Sequence, residues 1–231
     1  MLFWEEEKEE EAPYEAPDDV LDIGYQIDCR TLPLDHAWSL SRAVAEALPW
    51  FEEEADAGLH LIHGAESGNG WYRPEDVENE VLHLPRRARL YLRLPKARVE
   101  EASEALVGRT FDIDGHPLRI VREAGRRRFS ILSTLFSRHV LTDEDVGEAD
   151  FLQWAAEQIR AMGIPVRKMM SGKTHAFRTP EGSLFTRTLM VADLEPEQAV
   201  ELQRRGLGEG RKMGFGLFLP HKGIKSVKET H

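Results

Sequence analysis

The sequence of 231 residues predicts an α+β protein built of two tandem ferredoxin-like (RRM-like) βαββαβ domains. Segments in which every second residue is apolar are interspersed with segments whose apolar residues recur at helical spacing. The resulting order of strand, helix, strand, strand, helix and strand occurs twice along the chain. An antiparallel sheet with both helices on one face leaves its other face open to a ligand. RNA-recognition modules use this arrangement to bind RNA.

The elements of the first half follow from apolar periodicity and from residues that start or stop helices. Asp35 can cap a helix, Gly108 can end one, and Asp114-Gly115 suits a hairpin turn. The predicted elements are a strand at 19–30, a helix from Asp35 to Phe51, strands at 59–63 and 87–94, a helix ending at Gly108, and a hairpin over 111–121.

The second half repeats this order without detectable sequence identity to the first. Its predicted elements are a strand at 129–141, a helix at 150–162, a hairpin of 166–177 with 183–191, a helix from Pro196 to Gly206, and a last strand at 213–220. We therefore expect the chain to divide into an acidic arm at 1–18, an N-terminal domain at 19–125, a C-terminal domain at 126–222 and a tail at 223–231.

The net charge of −11 conceals an uneven distribution. Residues 1–20 carry nine acids and one lysine, whereas residues 86–140 carry 13 bases and 6 acids and residues 160–231 carry 13 bases and 7 acids. The acidity therefore belongs largely to the arm and does not exclude a nucleic-acid partner. The single Cys29 excludes an internal disulfide. Without a signal peptide or an apolar spanning segment, a cytoplasmic protein with no membrane association is expected.

A glycine-rich basic loop at 206–216 is the most specific local feature. A helix precedes it and a predicted strand follows, which is the reverse of a dinucleotide fingerprint, and it lacks a Walker Gly-Lys-Ser/Thr. The alternative interpretation, a helix cap plus a turn, would account for only Gly206 and one more of its five glycines. An RNA backbone suits the loop better, and its candidate RNA contacts are Gly206, Gly208, Gly210, Arg211, Lys212 and Gly214.

The sequence resembles the CRISPR-associated repeat-processing endoribonucleases, which belong to the repeat-associated mysterious protein superfamily. It most resembles their myxobacterial-type subfamily. The resemblance rests on Leu-Pro-Leu-Asp-His at 32–36 and on the Gly-Leu-Gly to Phe-Leu-Pro segment at 206–220. It extends over about residues 19 to 221 and leaves the acidic arm outside.

The resemblance implies a metal-independent enzyme without a cofactor. Such proteins bind the stem-loop of a CRISPR repeat and cut the precursor transcript by attack of a ribose 2′-hydroxyl on the adjacent phosphate. The products are a 2′,3′-cyclic phosphate and a free 5′-hydroxyl. Many members remain bound to the product as a subunit of the effector ribonucleoprotein, so that repeat RNA and other CRISPR subunits are the expected partners.

The candidate catalytic residues are histidines, since self-cleavage needs a base, an acid and nearby cations. His36 lies at the predicted start of the first helix, where the resemblance places the general acid or base. A solvent-exposed capping role is the structural alternative. His63 is the second choice and could line the cleft near His36, and no histidine pair has metal-ligand spacing. The resemblance implies that a tyrosine or lysine near the catalytic histidine assists it in some members. No lysine lies between Lys8 and Lys96, so Arg42 or Tyr25 would have to assist here. The histidines expected to have no role are His83, His116, His139, His221 and His231.

Two further basic segments are candidate RNA contacts. The segment 166–178 could form a finger against an RNA stem, although an exposed polar hairpin explains it equally well, and the second segment lies at the expected domain junction. Their residues are Arg167, Lys168, Lys173, His175 and Arg178 in the first segment and Arg126, Arg127 and Arg128 in the second. A non-catalytic subunit that holds an RNA handle, and a nucleotide-binding enzyme or sensor, remain as alternative functions.

Overall fold

The computed structural model describes residues 14–63 and 81–221. Its first sheet has the strand order β3-β5-β1-β7-β6, and all neighbouring strands are antiparallel. The elements of this half are β1 (Val20–Asp28), β2 (Thr31–Pro33), α1 (Ala37–Ala47), β3 (Gly58–His60), β4 (Val81–His83), β5 (Arg89–Pro95), α2 (Val99–Leu106), β6 (Thr110–Ile113) and β7 (His116–Arg127). Strands β2 and β4 form a separate two-stranded sheet.

Alternation along β1 explains the core of this half. Ile23, Tyr25 and Ile27 point to one face and are buried in one cluster with Leu40 of α1 and Leu106 of α2. The opposite face of the sheet is thereby left without helices of this half. Helix α1 has His36 at its N-cap position without a side-chain cap hydrogen bond, so the expectation that Asp35 caps this helix is wrong.

The second sheet has the strand order β11-β8-β10-β9. Its elements are β8 (Leu135–Thr142), α3 (Glu148–Ala161), β9 (Lys168–Thr179), β10 (Gly182–Ala192), α4 (Pro196–Arg205) and β11 (Leu219–Pro220). If the strands of this half are numbered one to four along the chain, their order in the sheet is four-one-three-two. The first sheet has the same order, with β6 added at its edge. The predicted fold class of tandem ferredoxin-like domains is confirmed.

The predicted last strand at 213–220 is wrong for most of its length. Only Leu219–Pro220 pair with β8, and a 3₁₀ turn at Arg211–Met213 precedes them. Gly214 and Gly216 have φ of +89° and +68°, which is left-handed backbone that a strand does not contain. A Cβ on Gly216 would lie 2.1 Å from the carbonyl oxygen of Leu207, so the loop packs tightly against itself.

The described part of the acidic segment is held by charge and by one aromatic ring. Tyr14 packs against a small cluster formed by Ala16, Val20, Phe129 and Val200. Three ion pairs accompany it: Glu15 with Arg128, Asp18 with Lys96 and Asp19 with Arg204. The sequence predicts that either Tyr14 or Trp4 anchors the arm, and Trp4 lies outside the described residues. No helix in the described part is long and apolar enough to cross a membrane.

Candidate active site

A cavity of about 300 Å³ lies between the two domains. The first domain contributes side chains of the helix-free sheet face and of the segment after β3. The second contributes β8 and the glycine-rich loop. The lining residues are Asp22, His60, Leu61, His63, Arg89, Tyr91 and Arg127 from the first domain, and Arg138, His139, Gly214, Leu217 and Leu219 from the second.

A second cavity of about 260 Å³ adjoins the first, and the two share His63, Arg138 and His139. Strands β8, β9 and β10 form the rest of its wall. The remaining lining residues are Phe136, Gly172, Lys173, His175 and Thr188. This second cavity therefore brings three imidazoles and two cationic side chains together where the domains meet.

His36 is buried, and main-chain groups contact both nitrogens of its ring. Its Nδ1 lies 2.9 Å from the carbonyl oxygen of Pro33 and therefore carries the proton, since a carbonyl can only accept. Its Nε2 accepts a hydrogen bond of 3.2 Å from the N–H of Ile62. In this arrangement the imidazole is neutral and fixes the segment that leads into His63.

His63 lines both cavities and follows the segment fixed by His36. Burial, together with the positive charge of Arg138, lowers the pKa of His63 from 6.5 to about 3. The ring is therefore neutral near pH 7, and a pKa this low makes it a weak base unless an anionic phosphate beside it raises that pKa.

His139 is the buried centre of the cluster. Its ring centroid lies 6.3 Å from that of His63 and 5.3 Å from that of His175. Its Nδ1 lies 3.1 Å from the hydroxyl oxygen of Thr186, and its carbonyl accepts a 2.6 Å hydrogen bond from the N–H of Gly216. His139 thus connects the glycine-rich loop to the β8–β10 sheet at the cavity wall.

An ion-pair network forms the floor of the larger cavity. Arg93 is fully buried and donates from Nε and one terminal nitrogen to the two carboxylate oxygens of Asp22, at 2.8 and 3.0 Å. It also donates to the carbonyls of Gln203 and Phe218 in the second domain, while His60 Nε2 lies 3.1 Å from Asp22. Burial would raise the pKa of Asp22, but the charges of Arg93 and His60 outweigh it and hold that pKa well below its ordinary value.

Comparison with known proteins agrees with this arrangement of two domains around a cleft. Residues 21–223 match the family model described as "Cas6 Crispr", which is most of the chain. The chain belongs to the Cas6 family. A curated relative, the CRISPR-associated endonuclease Cas6 of Myxococcus xanthus (strain DK1622), is 26% identical over 200 residues, which are 87% of this chain and 81% of the relative. The resemblance inferred from the sequence is confirmed.

Solved structures of Cas6 proteins have the same fold. A Cas6-related protein of Pyrococcus furiosus aligns with a TM-score of 0.58 at 14% identity, covering 90% of this chain and 99% of the other. A second structure, described as CRISPR associated protein Cas6, aligns with a TM-score of 0.56 at 11% identity, covering 88% and 99%.

Two of the four catalytic candidates are misplaced for a role in this Cas6-family cleft. Tyr25 points away from the cavity into the helix-facing core, where its hydroxyl lies 3.1 Å from that of Ser103. Burial raises the pKa of Tyr25 to about 12, which makes it a poor proton donor. Arg42 is exposed on α1 and pairs with Glu52 at 2.6 Å. The structure therefore does not support a catalytic role for either side chain, and both assignments stay predictions.

The basic residues of the glycine-rich loop bind the protein's own main chain. Arg211 donates to the carbonyls of Arg204, Arg205 and Asp56, and Lys212 donates to those of Glu54 and Ala57. Burial and neighbouring cations lower the pKa of Arg211 to about 10 and that of Lys212 to about 8. These bonds join the loop to the chain after α1, and they do not support the prediction that Arg211 and Lys212 contact RNA.

The loop glycines likewise serve packing. A Cβ on Gly206 would lie 2.7 Å from the carbonyl oxygen of Gly216, one on Gly210 2.7 Å from the Phe215 ring, and one on Gly214 2.7 Å from Leu61. A Cβ on Gly208 would meet the Trp154 ring at 3.4 Å. The prediction that these glycines approach an RNA backbone is not supported, because protein atoms occupy the space in front of three of them.

The other basic candidates divide into those paired with acids and those at the cavities. Arg126 pairs with Glu100 and Glu123, and Arg128 pairs with Glu15. In the hairpin, Arg167 pairs with Glu195 and Lys168 with Asp193, and the main-chain N–H of Arg178 donates to Asp35. These pairs weaken the case for direct RNA contact, whereas Arg127, Lys173 and His175 line the cavities.

Sequence reasoning missed four residues of the site: Arg89, Tyr91, Arg138 and His139. His139 was expected to have no role, but it is buried at the point where three elements meet. Arg89 and Tyr91 alternate with the buried Leu90 and Leu92 along β5. This alternation places the two side chains on the face away from the core, and it is the sequence signal that could have identified them. Among residues 14–63 and 81–221, no cluster of three or more His, Cys, Asp or Glu side chains could hold a metal ion.

Proposed function

We propose that this chain is an endoribonuclease that binds the stem-loop of a CRISPR repeat and cuts the precursor transcript. Membership of the Cas6 family and the name of the Myxococcus xanthus relative, an endonuclease, support an RNA-processing role. The observation that carries the proposal is the cavity of about 260 Å³ in which His63, His139, His175, Arg138 and Lys173 converge. Proton-transfer groups and cations are the two requirements of cleavage through a 2′-hydroxyl.

The proposed reaction needs no metal ion. His63 accepts the proton of the ribose 2′-hydroxyl as the oxygen attacks the adjacent phosphorus. The bond from phosphorus to the 5′-oxygen breaks, and that oxygen takes a proton from an acid. His175 lines the same cavity and is the proposed acid. Arg138 and Lys173 stabilise the additional negative charge of the pentavalent phosphate. The products are a 2′,3′-cyclic phosphate and a 5′-hydroxyl.

His36 has a supporting role in this proposal. Its Nε2 holds the N–H of Ile62, the residue before the proposed base, while its Nδ1–H is held by Pro33. Direct proton transfer by His36 would first require the hydrogen bond to Ile62 to break. His36 is therefore proposed as a positioning residue, and a retained acid or base role is the alternative that mutation must test.

The decisive experiment incubates the purified chain with a labelled repeat hairpin in the presence of a chelator. Cleavage at one position, with a cyclic phosphate on the upstream fragment, is the expected result. His63→Ala should abolish cleavage while leaving hairpin affinity within a few-fold of wild type. Cleavage that requires added magnesium, or full activity in His63→Ala, would overturn the mechanism.

A non-catalytic subunit that holds an RNA handle within a CRISPR ribonucleoprotein is the second proposal. The main-chain hydrogen bonds to both ring nitrogens of His36 favour it, because they engage the residue that the family resemblance marks as catalytic. Tight binding of the hairpin by wild-type protein without any cleavage would select this proposal. In either case, retention of the RNA after incubation would support service as an effector subunit.

A further inference from the structure

The helix-free face of the first sheet contains a strip with almost no side chains. Tyr91 of β5 pairs with Gly24 of β1, and Gly24 pairs on its other side with Gly125 of β7. A Cβ on Gly24 would lie 2.8 Å from the Tyr91 ring. The ring therefore occupies the space in front of Gly24, and a side chain at that position would displace it.

Arg127 covers the same ring. Its guanidinium carbon lies 4.9 Å from the centroid of Tyr91, a cation–π distance. Arg127 is exposed and Tyr91 is half-buried. Both line the larger cavity together with Arg89 and Arg138, so a planar cation and an aromatic ring lie beside two further guanidinium groups.

The acidic side chain among the residues that line this cavity, Asp22, is already paired with cationic groups. Asp22, the strand partner of Arg127, accepts two hydrogen bonds from Arg93 and contacts His60. The charge offered to a ligand is therefore positive, from Arg89, Arg127 and Arg138. An aromatic ring on an open sheet, flanked by arginines, is the chemistry that binds unpaired nucleotides: the bases stack and the phosphates contact cations.

We propose that Tyr91 and Arg127 form a stacking site for one or two unpaired nucleotides of the RNA strand, separate from the contacts that a base-paired stem would make. A base stacks on the Tyr91–Arg127 pair, and the adjoining phosphates lie toward Arg89 and Arg138. The proposal rests on the proposed function, because it assumes that the bound strand is RNA and that it continues from the cleavage cavity along the sheet.

Arg126 supplies a matched control for Arg127. The two are sequence neighbours on β7, but Arg126 pairs with Glu100 and Glu123 on the helix-facing side, whereas Arg127 lies over Tyr91. Replacing either arginine by glutamine removes one positive charge at the same place in the sequence. A difference in RNA affinity between the two variants therefore arises from the face of the sheet on which each arginine lies, because both variants have the same net charge.

The test compares two probes by fluorescence anisotropy at fixed salt: an eight-nucleotide oligouridine and a blunt-ended repeat hairpin. Arg127→Gln and Tyr91→Ala should each weaken oligouridine binding about tenfold, and more than they weaken hairpin binding, while Arg126→Gln stays within twofold of wild type. Tyr91→Phe retains the ring and should keep the wild-type affinity. It also keeps the proposal testable if Tyr91→Ala does not fold.

Two results would overturn the stacking site alone: wild-type protein that cleaves the hairpin but does not bind oligouridine, and equal losses for Arg126→Gln and Arg127→Gln. Unchanged oligouridine affinity in folded Tyr91→Ala would also overturn it. Wild-type protein that neither binds nor cleaves the hairpin would overturn the proposed function as well, so the two failures are distinguishable.

Discussion

The carboxylate of Asp35 accepts a 2.7 Å hydrogen bond from the main-chain N–H of Arg178. Asp35 directly precedes the N-cap residue of α1, and Arg178 lies near the end of β9, so this bond joins the two domains beside the candidate active site. Apolar side chains pack around the same junction, where Ala37, Phe177 and Phe215 are buried in one cluster.

Replacing Asp35 by alanine is expected to destabilise the fold. The charged acceptor for the Arg178 N–H is lost, and hydrogen bonds of this kind contribute about 1–3 kcal/mol. We expect the free energy of unfolding in urea to fall by about 1 kcal/mol, since the bond lies near the surface. Asp28→Ala, at the exposed end of β1, is the control and should leave it unchanged. If Asp35→Ala has the same free energy of unfolding as wild type, the hydrogen bond contributes nothing to stability.

Replacing His36 by glutamine separates positioning from proton transfer. The glutamine amide offers one N–H donor for Pro33 and one oxygen acceptor for Ile62, as the imidazole does. We expect single-turnover cleavage by His36→Gln to stay within about tenfold of wild type, and His36→Ala to lose far more. Folding of both variants is checked by thermal melting. If folded His36→Gln is as inactive as His36→Ala, then His36 itself transfers a proton.

Arg211 and Lys173 should respond oppositely to removal of their charge. Arg211→Ala leaves three main-chain carbonyls without a donor and should lower the midpoint of thermal unfolding by several degrees. Lys173→Ala should leave that midpoint unchanged, because the side chain is exposed. It should instead reduce the slope of log affinity against log salt for the hairpin by about 1. The reverse pattern would restore Arg211 as the RNA contact.

Acid should destabilise the fold partly through His63. The pKa of His63 is about 3 in the folded chain and 6.5 ordinarily, so between these values the unfolded chain binds more protons. The free energy of unfolding contributed by His63 is therefore complete above pH 6.5 and is lost as pH falls toward 3. We expect urea unfolding of His63→Asn to depend less on pH in this window than that of wild type. Identical slopes would mean that folded His63 has an ordinary pKa.

Apolar periodicity predicted the architecture because burial in these elements is regular. The apolar residues that recur at helical spacing along α1, among them Leu40 and Val44, are fully buried. The same rule failed at Arg93, which alternation along β5 places on the outward face. Arg93 is buried because the second domain covers that part of the sheet, and local periodicity contains no information about a contact between domains.

The candidate site was harder to predict than the fold. A lysine or arginine beside glycines looks the same in sequence whether it binds phosphate or, as Lys212 does, main-chain carbonyls. His139 resembled an ordinary strand residue, and its position between His63 and His175 depends on packing of elements distant in sequence. His63 was identified as the last residue of a predicted strand, just before Gly64, and the structure places it on both cavities.

The contacts of Arg93 have a consequence for biosynthesis. Its partners in the second domain are the carbonyls of Gln203 and Phe218, which are synthesised after the whole of the first domain. Until they are synthesised, the N-terminal half carries a guanidinium group with only part of its hydrogen bonding complete, facing what will become the interior. The first domain therefore completes its own hydrogen bonding only after these two segments of the second domain have been synthesised.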